Sequence, residues 1–509
     1  MELKTAEYYA EMARKMKFST KALIDGKFVD SKSGERIISV NPATNEQLID
    51  ITCCDERDAA TAQQAAREAF EDGRWSALAP AERKSILIRL ADLIEEHGEE
   101  LAVIESLDSG KPIYDNITGD VPETAETFRW HAEAADKLEG QITAGDGEHL
   151  SMVVREPVGV VGAIVPWNFP MLMAAWKIAP ILASGNSCIV KPAQLTSLSL
   201  LKIAELAMEA GVPEGVLNVL PGKGSVVGNA IAMHPQIEAI TFTGSTEVGK
   251  RLLVQSGKTN AKSVFLEMGG KNPCIIMPDV KDLDAAADEA VNAVFWNMGE
   301  NCTSNSRLLV HESIHDVFVE KVLERTKKLK TGNPLSPDSN LGALVETPHA
   351  NTVLEYIEKG KKEGAELLLG GEHIGKSVEM NSPNEFAKEA GNFISPAVFD
   401  NVSLDMEVSR HEIFGPVLCI SSFSDESQAI AMANDTEYGL QASLFTDDLS
   451  TAHRMAGKLR AGTVSVNCYS EGDIGTPFGG FKQSGFLSRD NSLWANRQYT
   501  ELKTIWIKI

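Results

Sequence analysis

VGVVGAIVPWNFPMLMAAWKIAPILASGNSCIVKP, spanning Val158–Pro192, decides the fold. A strand-like run, GVVGAIVP, gives way to the helical MLMAAWKIAPILASG and then to a second strand, SCIVKP. The alternation continues to Gly270. A helix with Leu200, Ile203, Ala204 and Ala207 on one face ends at Gly211 and Pro213. Strand GVLNVLPG, a helix over Ser225–Met233, strand AITFTGS, a helix through Leu253 and strand SVFLEMGG follow. Strands separated by helices of this length specify βαβ units and a parallel sheet covered on both faces, an α/β fold. Such sheets bind ligands at the carboxyl ends of their strands.

Outward from this core, a second alternation runs from Asn272 to Thr476, with strands at NPCIIM, SRLLVH, AELLLGG, FISPAVF, PVLCISSF, ASLFT and GTVSVN. A polar loop between Glu372 and Asn392 reads as an insertion. Toward the N-terminus, the apolar pieces Leu23–Phe28 and Ile37–Pro42, punctuated by Asp-Gly and Ser-Gly, read as a hairpin. Helices are expected over Ala59–Asp72 and Ala81–Leu107. The latter shows Leu87, Leu90, Ala91 and Ile94 at helical spacing and stops at Ser109-Gly110-Lys111-Pro112. The ending TELKTIWIKI reads as a terminal strand suited to pairing outside its own domain.

At 509 residues the chain is too long for one core. A formal net charge of −24 disfavours nucleic acid or an anionic membrane as partner. The seven cysteines (Cys53, Cys54, Cys188, Cys274, Cys302, Cys419 and Cys468) are scattered, odd in number and without CxxC spacing. That argues against a disulfide framework and against a metal site. Cys188, Cys274 and Cys419 sit in apolar strands, whereas Cys302 has polar neighbours. No apolar leader and no membrane-length apolar stretch is visible, so the expectation is a cytoplasmic protein.

Two stretches carry chemistry. Phe265–Pro273 (FLEMGGKNP) delivers the carboxylate of Glu267 just before a Gly-Gly pair, and Phe295–Cys302 (FWNMGENC) delivers a thiol after a flexible Met-Gly-Glu-Asn approach. A base and a soft nucleophile make a covalent-catalysis pair. Alone, each has a plain reading as turn carboxylate or core filler. Pro221-Gly222-Lys223-Gly224 with Gly228, and Gly244-Ser245-Thr246, each follow a strand and open a helix. Such helix starts suit a diphosphate, although the GxGxxxG spacing is not the usual dinucleotide pattern.

Taken together these segments resemble the aldehyde dehydrogenase superfamily. The match is carried by VPWNFP (Val165–Pro170), KP (Lys191–Pro192), FTGSTEVGK (Phe242–Lys250), LEMGGKNP (Leu266–Pro273), GENC (Gly299–Cys302), EIFGPV (Glu412–Val417) and PFGGFKQSG (Pro477–Gly485). The resemblance implies oxidation of an aldehyde to the free acid with NAD or NADP. Cys302 would be the nucleophile, Asn168 and the Cys302 N–H the oxyanion donors, Glu267 the base that activates water, and Lys177 a support for Asn168 and the nicotinamide ribose. Ile164, Val165, Trp167, Lys191, Gln194, Gly224, Gly228, Phe242, Gly244, Ser245, Gly269, Glu412 and Phe414 would line the cofactor groove.

The same resemblance implies two parallel-sheet lobes plus a small β oligomerisation element, and a homodimer or homotetramer. The boundaries are a cofactor domain over 1–138 and 158–270, oligomerisation strands over 139–157, a catalytic domain over 271–484, and an oligomerisation strand with C-terminal tail over 485–509. Three departures stand out. Gln194 replaces the Glu of most NAD-preferring relatives, leaving NAD against NADP open. Met298 and Asn301 stand beside the thiol where many relatives carry Gln and Cys. GFLSRD (Gly485–Asp490) adds a residue and loses a glycine.

The nearest subgroup resembles the bacterial aminoaldehyde dehydrogenases. Glu471 and Asp473 in NCYSEGD, with Asp120 and Glu123, would attract a cationic substrate tail, and Phe169, Trp176, Trp296 and Tyr469 would form an aromatic wall. A broad aliphatic or aromatic aldehyde remains the alternative. A non-catalytic, crystallin-like relative would have lost Cys302, Glu267 or Asn168. A cysteine esterase would not need the cofactor-side residues.

Overall fold

The computed structural model describes residues 3–378, 380 and 391–509, and much of the polar stretch expected between Glu372 and Asn392 lies outside the described residues. Val160–Ile164 and Ser187–Lys191 pair in parallel with helix Pro170–Ala183 between them. Pro170 opens that helix at its first position, where a missing N–H is no loss. The helix is apolar nearly all round and wholly buried, so Lys177 is carried into the interior with it.

The first sheet has eight strands. Its parallel centre runs Ser263–Met268, Ala239–Gly244, Val160–Ile164, Ser187–Lys191, Leu217–Val219. Phe242, Ile164 and Lys191 stand in register, and Thr243 faces Glu267, so the carboxyl ends of these strands form one rim. A second, seven-stranded sheet is built from Glu366–Leu369, Ala397–Asp400, Val417–Phe423, Arg307–His311, Pro273–Ile276, Gln441–Phe445 and Thr463–Val466, antiparallel only at its first pair. Separate buried apolar clusters lie against the two sheets.

Three readings of the sequence need correction. The N-terminal apolar pieces do not form one hairpin. Ala22–Ile24 turns through Asp25-Gly26, both at positive φ, into Lys27–Val29, while Arg36–Asn41 pairs with Glu46–Thr52. The helix expected over Ala81–Leu107 is two, Pro80–Glu96 and Gly98–Ser109, because His97 leaves the helical region at ψ 16. The C-terminal segment does not serve one sheet. Gly485–Phe486 adds an antiparallel strand beside Ser263–Met268, and only Thr500–Lys508 joins His149–Pro157 and Gln141–Thr143 in a three-stranded sheet. Among the described residues no helix is long and apolar enough to cross a membrane.

Candidate active site

The approach to Cys302 is a fixed turn rather than a flexible one. Asn297, Met298 and Gly299 all lie in the left-handed region, at φ 50, 57 and 71. Two consecutive non-glycine residues there are uncommon and mark functional sites. The Asn297 amide donates to the Asn168 carbonyl and to the Glu300 carbonyl, both at 3.0 Å. Asn168 Nδ2 donates to the same Glu300 carbonyl at 2.9 Å. That bond fixes the orientation of the Asn168 amide. The Cys302 sulfhydryl sits on a half-buried residue, unlike the buried Cys53, Cys54, Cys188, Cys274 and Cys419.

Strand Ser263–Met268 places Glu267 on the rim, and the following glycines let two neighbours close in. A Cβ on Gly270 would lie 2.5 Å from the Cys302 carbonyl, and one on Gly269 would lie 1.9 Å from Glu412 Oε2. Glu267 is 1% exposed. Neither of its oxygens makes a hydrogen bond of ordinary geometry, although the Cys302 thiol is close enough to act on its acidity. Burial pushes its carboxyl up to about 8, with the Lys177 charge opposing. Burial, then the carboxylates of Glu267, Glu471 and Glu412, push the Cys302 thiol well above its ordinary value.

Lys177 is not bonded to Asn168. Its ammonium lies 2.5 Å from Asp490 Oδ2, and both side chains are buried. In the GFLSRD stretch Leu487 is exposed at φ 58, whereas Asp490 lies buried. Asp490 is also fixed by reciprocal backbone hydrogen bonds with Phe478 at 2.7 Å.

From Cys302 and Glu267 a cleft of about 540 Å³ runs along the rim of the first sheet, within the range of small-molecule sites. Ile164, Val165, Trp167, Lys191, Gln194, Gly224, Phe242, Gly244, Ser245, Gly269, Glu412 and Phe414 all line it. Gly228 does not: the stretch Gly224–Gly228 is a wide turn, and Gly228 sits behind Lys191, where a Cβ would lie 3.5 Å from its Cδ. Ser245 Oγ caps helix Thr246–Lys258. Burial pushes the Lys191 ammonium down to about 8. Glu412 accepts from the Gly270 N–H at 2.9 Å, and burial pushes it up to about 7. A nicotinamide dinucleotide fits this donor set. A Cβ on Gly224 would meet nothing nearer than Lys191 Cε at 3.8 Å, so the glycine leaves an open cradle at a strand end. His349 also lines the cleft and was missed in the sequence, where it follows a proline in an otherwise unremarked helix start.

On the other side of Cys302 lies a smaller funnel of about 220 Å³, lined by Glu123, Trp176, Trp296, Tyr469, Glu471 and Asp473 among others. Phe169 stacks on Trp296 with centroids 5.1 Å apart. Glu471 is tied to the nucleophile loop: it accepts from Thr303 Oγ1 and, at 3.3 Å, from the Tyr469 hydroxyl. Asn301, one of the departures, donates to that hydroxyl at 2.8 Å. Burial pushes the Glu471 carboxyl up, and burial followed by Glu471 pushes Glu123 up to about 7, although part of Glu123 reaches solvent. The buried Trp176 N–H makes no hydrogen bond of ordinary geometry, although it is close enough to Glu123 to oppose the rise of that carboxyl. Asp120 does not belong to this funnel. It is 1% exposed and bonded to Lys111, whose ammonium also sits 3.6 Å from the centre of the Phe169 ring. Lys111 claims the Asp120 charge, and sequence reading had seen it only as part of a helix stop. Among the described residues no cluster of three or more His, Cys, Asp or Glu could hold a metal.

A thiol on a tight turn, a buried carboxylate beside it and a dinucleotide-sized cleft at strand ends define a cofactor-dependent oxidoreductase that works through a covalent sulfur. A model of the aldehyde dehydrogenase family matches residues 28–505, and the chain belongs to that family, whose members here oxidise aldehydes to acids with NAD(P). Aminoacetaldehyde dehydrogenase of Pseudomonas aeruginosa is 49% identical over 506 residues, 99% of each chain. The NADP/NAD-dependent aldehyde dehydrogenase PuuC of Escherichia coli is 44% identical over 502 residues, 99% of this chain and 98% of that one. A P. syringae indole-3-acetaldehyde dehydrogenase, AldA, solved as a C302A mutant with NAD+ and IAA, superposes with a TM-score of 0.96 at 46% identity over the whole of both chains.

Proposed function

We propose that the enzyme oxidises an ω-aminoaldehyde, with the cationic tail in the Glu123–Glu471–Asp473 funnel and the aldehyde carbon at Cys302. The observation that carries this reading is the funnel itself, which brings three carboxylates and three aromatic faces together with no basic residue in its lining. An ammonium group there gains charge and π contacts together. The similarity to an aminoacetaldehyde dehydrogenase supports it.

In this reading Glu267 takes the Cys302 proton, and the thiolate adds to the aldehyde carbon. The second N–H of Asn168 and the Cys302 N–H hold the oxyanion that forms. A nicotinamide held by Trp167, Lys191, Gly224, Ser245, Glu412 and Phe414 would supply the hydride acceptor that leaves a thioester. Glu267 releases that proton to solvent and then takes one from water, and the hydroxide attacks the thioester carbon. The thiolate is expelled and the free acid leaves. Lys177, paired with Asp490, opposes the rise of the Glu267 carboxyl without donating to it.

Gln194, exposed at the outer end of the cleft, carries no charge to repel a 2′-phosphate, which favours use of both NAD and NADP. The three-stranded sheet, with exposed Ile142, Leu502, Trp506 and Ile507, is the proposed homo-oligomer surface. Seven unpaired cysteines suit a cytoplasmic location.

The test is cofactor reduction with 4-aminobutyraldehyde and with hexanal, each with NAD and NADP, beside Cys302→Ala. Higher kcat/KM for the amine, abolished in Cys302→Ala, is the expected result, and preference for hexanal overturns the substrate assignment. A second reading, an arylacetaldehyde, rests on the same aromatic wall and on the likeness to AldA. Indole-3-acetaldehyde as the best substrate would decide for it.

A further inference from the structure

Phe414 is a bulky aromatic residue held at φ 58, a conformation that side chains other than glycine rarely adopt. It sits between Glu412 and Gly415, in the turn that backs the cofactor cleft. Something must hold it there, because such backbone persists only where its surroundings over-determine it.

The holding group is His349, in the first turn of helix Thr347–Glu363. Its Nε2 lies 2.7 Å from the Phe414 carbonyl. A carbonyl only accepts, so Nε2 carries the hydrogen. Burial pushes the imidazole below its ordinary value, in keeping with a neutral ring. The three rings of His349, Phe414 and Trp167 meet edge-on, with Trp167 centroids 5.4 Å from His349 and 5.2 Å from Phe414. One helical turn on, Val353 packs so closely on Gly415 that a Cβ there would be 2.6 Å from its Cγ2. The turn is also braced against the nucleophile loop, since a Cβ on Gly299 would be 2.3 Å from the Gly415 carbonyl. Finally, His349 Nε2 lies 3.5 Å from Glu300 Oε1, and the Glu300 backbone carbonyl anchors Asn168.

We infer that His349 is a positioning residue: its Nε2–H clamps the Phe414 carbonyl and so fixes the 412–415 turn that presents Glu412 and Phe414 to the cofactor. Removing the donor frees the turn, and the cofactor then meets an unformed wall. Substrate contacts lie on the far side of Cys302 and are spared. The inference rests on the cofactor occupying the 540 Å³ cleft.

The test compares His349→Ala with His349→Gln, whose amide can again donate. Amide hydrogen exchange of the peptide spanning 412–417 is measured in the cofactor-free protein, and cofactor Kd by tryptophan quenching. His349→Ala should exchange faster there and bind cofactor about tenfold more weakly, with the loss falling more on cofactor KM than on kcat. His349→Gln should recover most of both. Unchanged exchange in His349→Ala overturns the clamp. Faster exchange with unchanged Kd overturns its link to the cofactor. Equal defects in Ala and Gln variants overturn the role of the donor. Saturable quenching of the wild type at the cleft, lost on Gly224→Leu, checks the underlying reading separately.

Discussion

The cleft that ends at Cys302 and the acidic, aromatic funnel near it are built on opposite plans. The cleft is shaped by backbone: glycines at 224, 244 and 269, a helix cap at Ser245, and strand ends in register. The funnel is shaped by side chains, three acids and three aromatics brought from separate parts of the chain. A backbone-built site follows from the fold and tolerates change around it. A side-chain-built site can be retuned one residue at a time.

The comparison is sharpest at the reacting groups. Glu267→Gln removes the base that both halves share, and kcat should fall by roughly 10³-fold. Because Glu267 also takes the Cys302 proton, pre-steady-state mixing should show the burst of reduced cofactor slowed along with turnover. A burst of wild-type rate would confine Glu267 to hydrolysis of the thioester. In the intact enzyme the deprotonated base is the working form and its carboxyl is pushed up to about 8, so the deacylation rate should climb with pH through that value. A flat profile between pH 6 and 9 would break the assignment.

In the funnel, Glu471→Gln should raise KM for 4-aminobutyraldehyde about tenfold and leave hexanal within about twofold, since the loss is of one charge contact to the tail. Equal effects on both aldehydes would mean that Glu471 serves the Thr303 loop rather than the substrate. The smallest effect belongs to the cleft. Gln194→Glu should weaken NADP by several-fold and leave NAD unchanged or slightly tighter, read as a ratio of kcat/KM values. A ratio that does not move would detach Gln194 from cofactor choice.

The same contrast explains what was legible in the sequence. The βαβ succession could be read from Val158 onward because period and punctuation are local properties, and the cleft came with it, since strand ends and their glycines are adjacent in the chain. Glu267 and Cys302 were visible for the same reason, each beside small residues that a close approach demands. Lys111 was not, because its meaning depends on Asp120 and Phe169 folding over it, and a lysine in a helix-stop sequence looks solvated. Nor was the Lys177–Asp490 pair, which joins positions 313 residues apart. The left-handed turn through Asn297 and Met298 carried no glycine at those positions to announce it. His349 acts through one carbonyl 65 residues away and has no local signature at all.

The edge strand Gly485–Phe486, beside Glu267, and the counter-charge Asp490, beside Lys177, both come from residues 485–490, far along the chain from what they brace. One short segment thus ties the first sheet to the buried helix that follows Asn168, so a cut within it would loosen both at once.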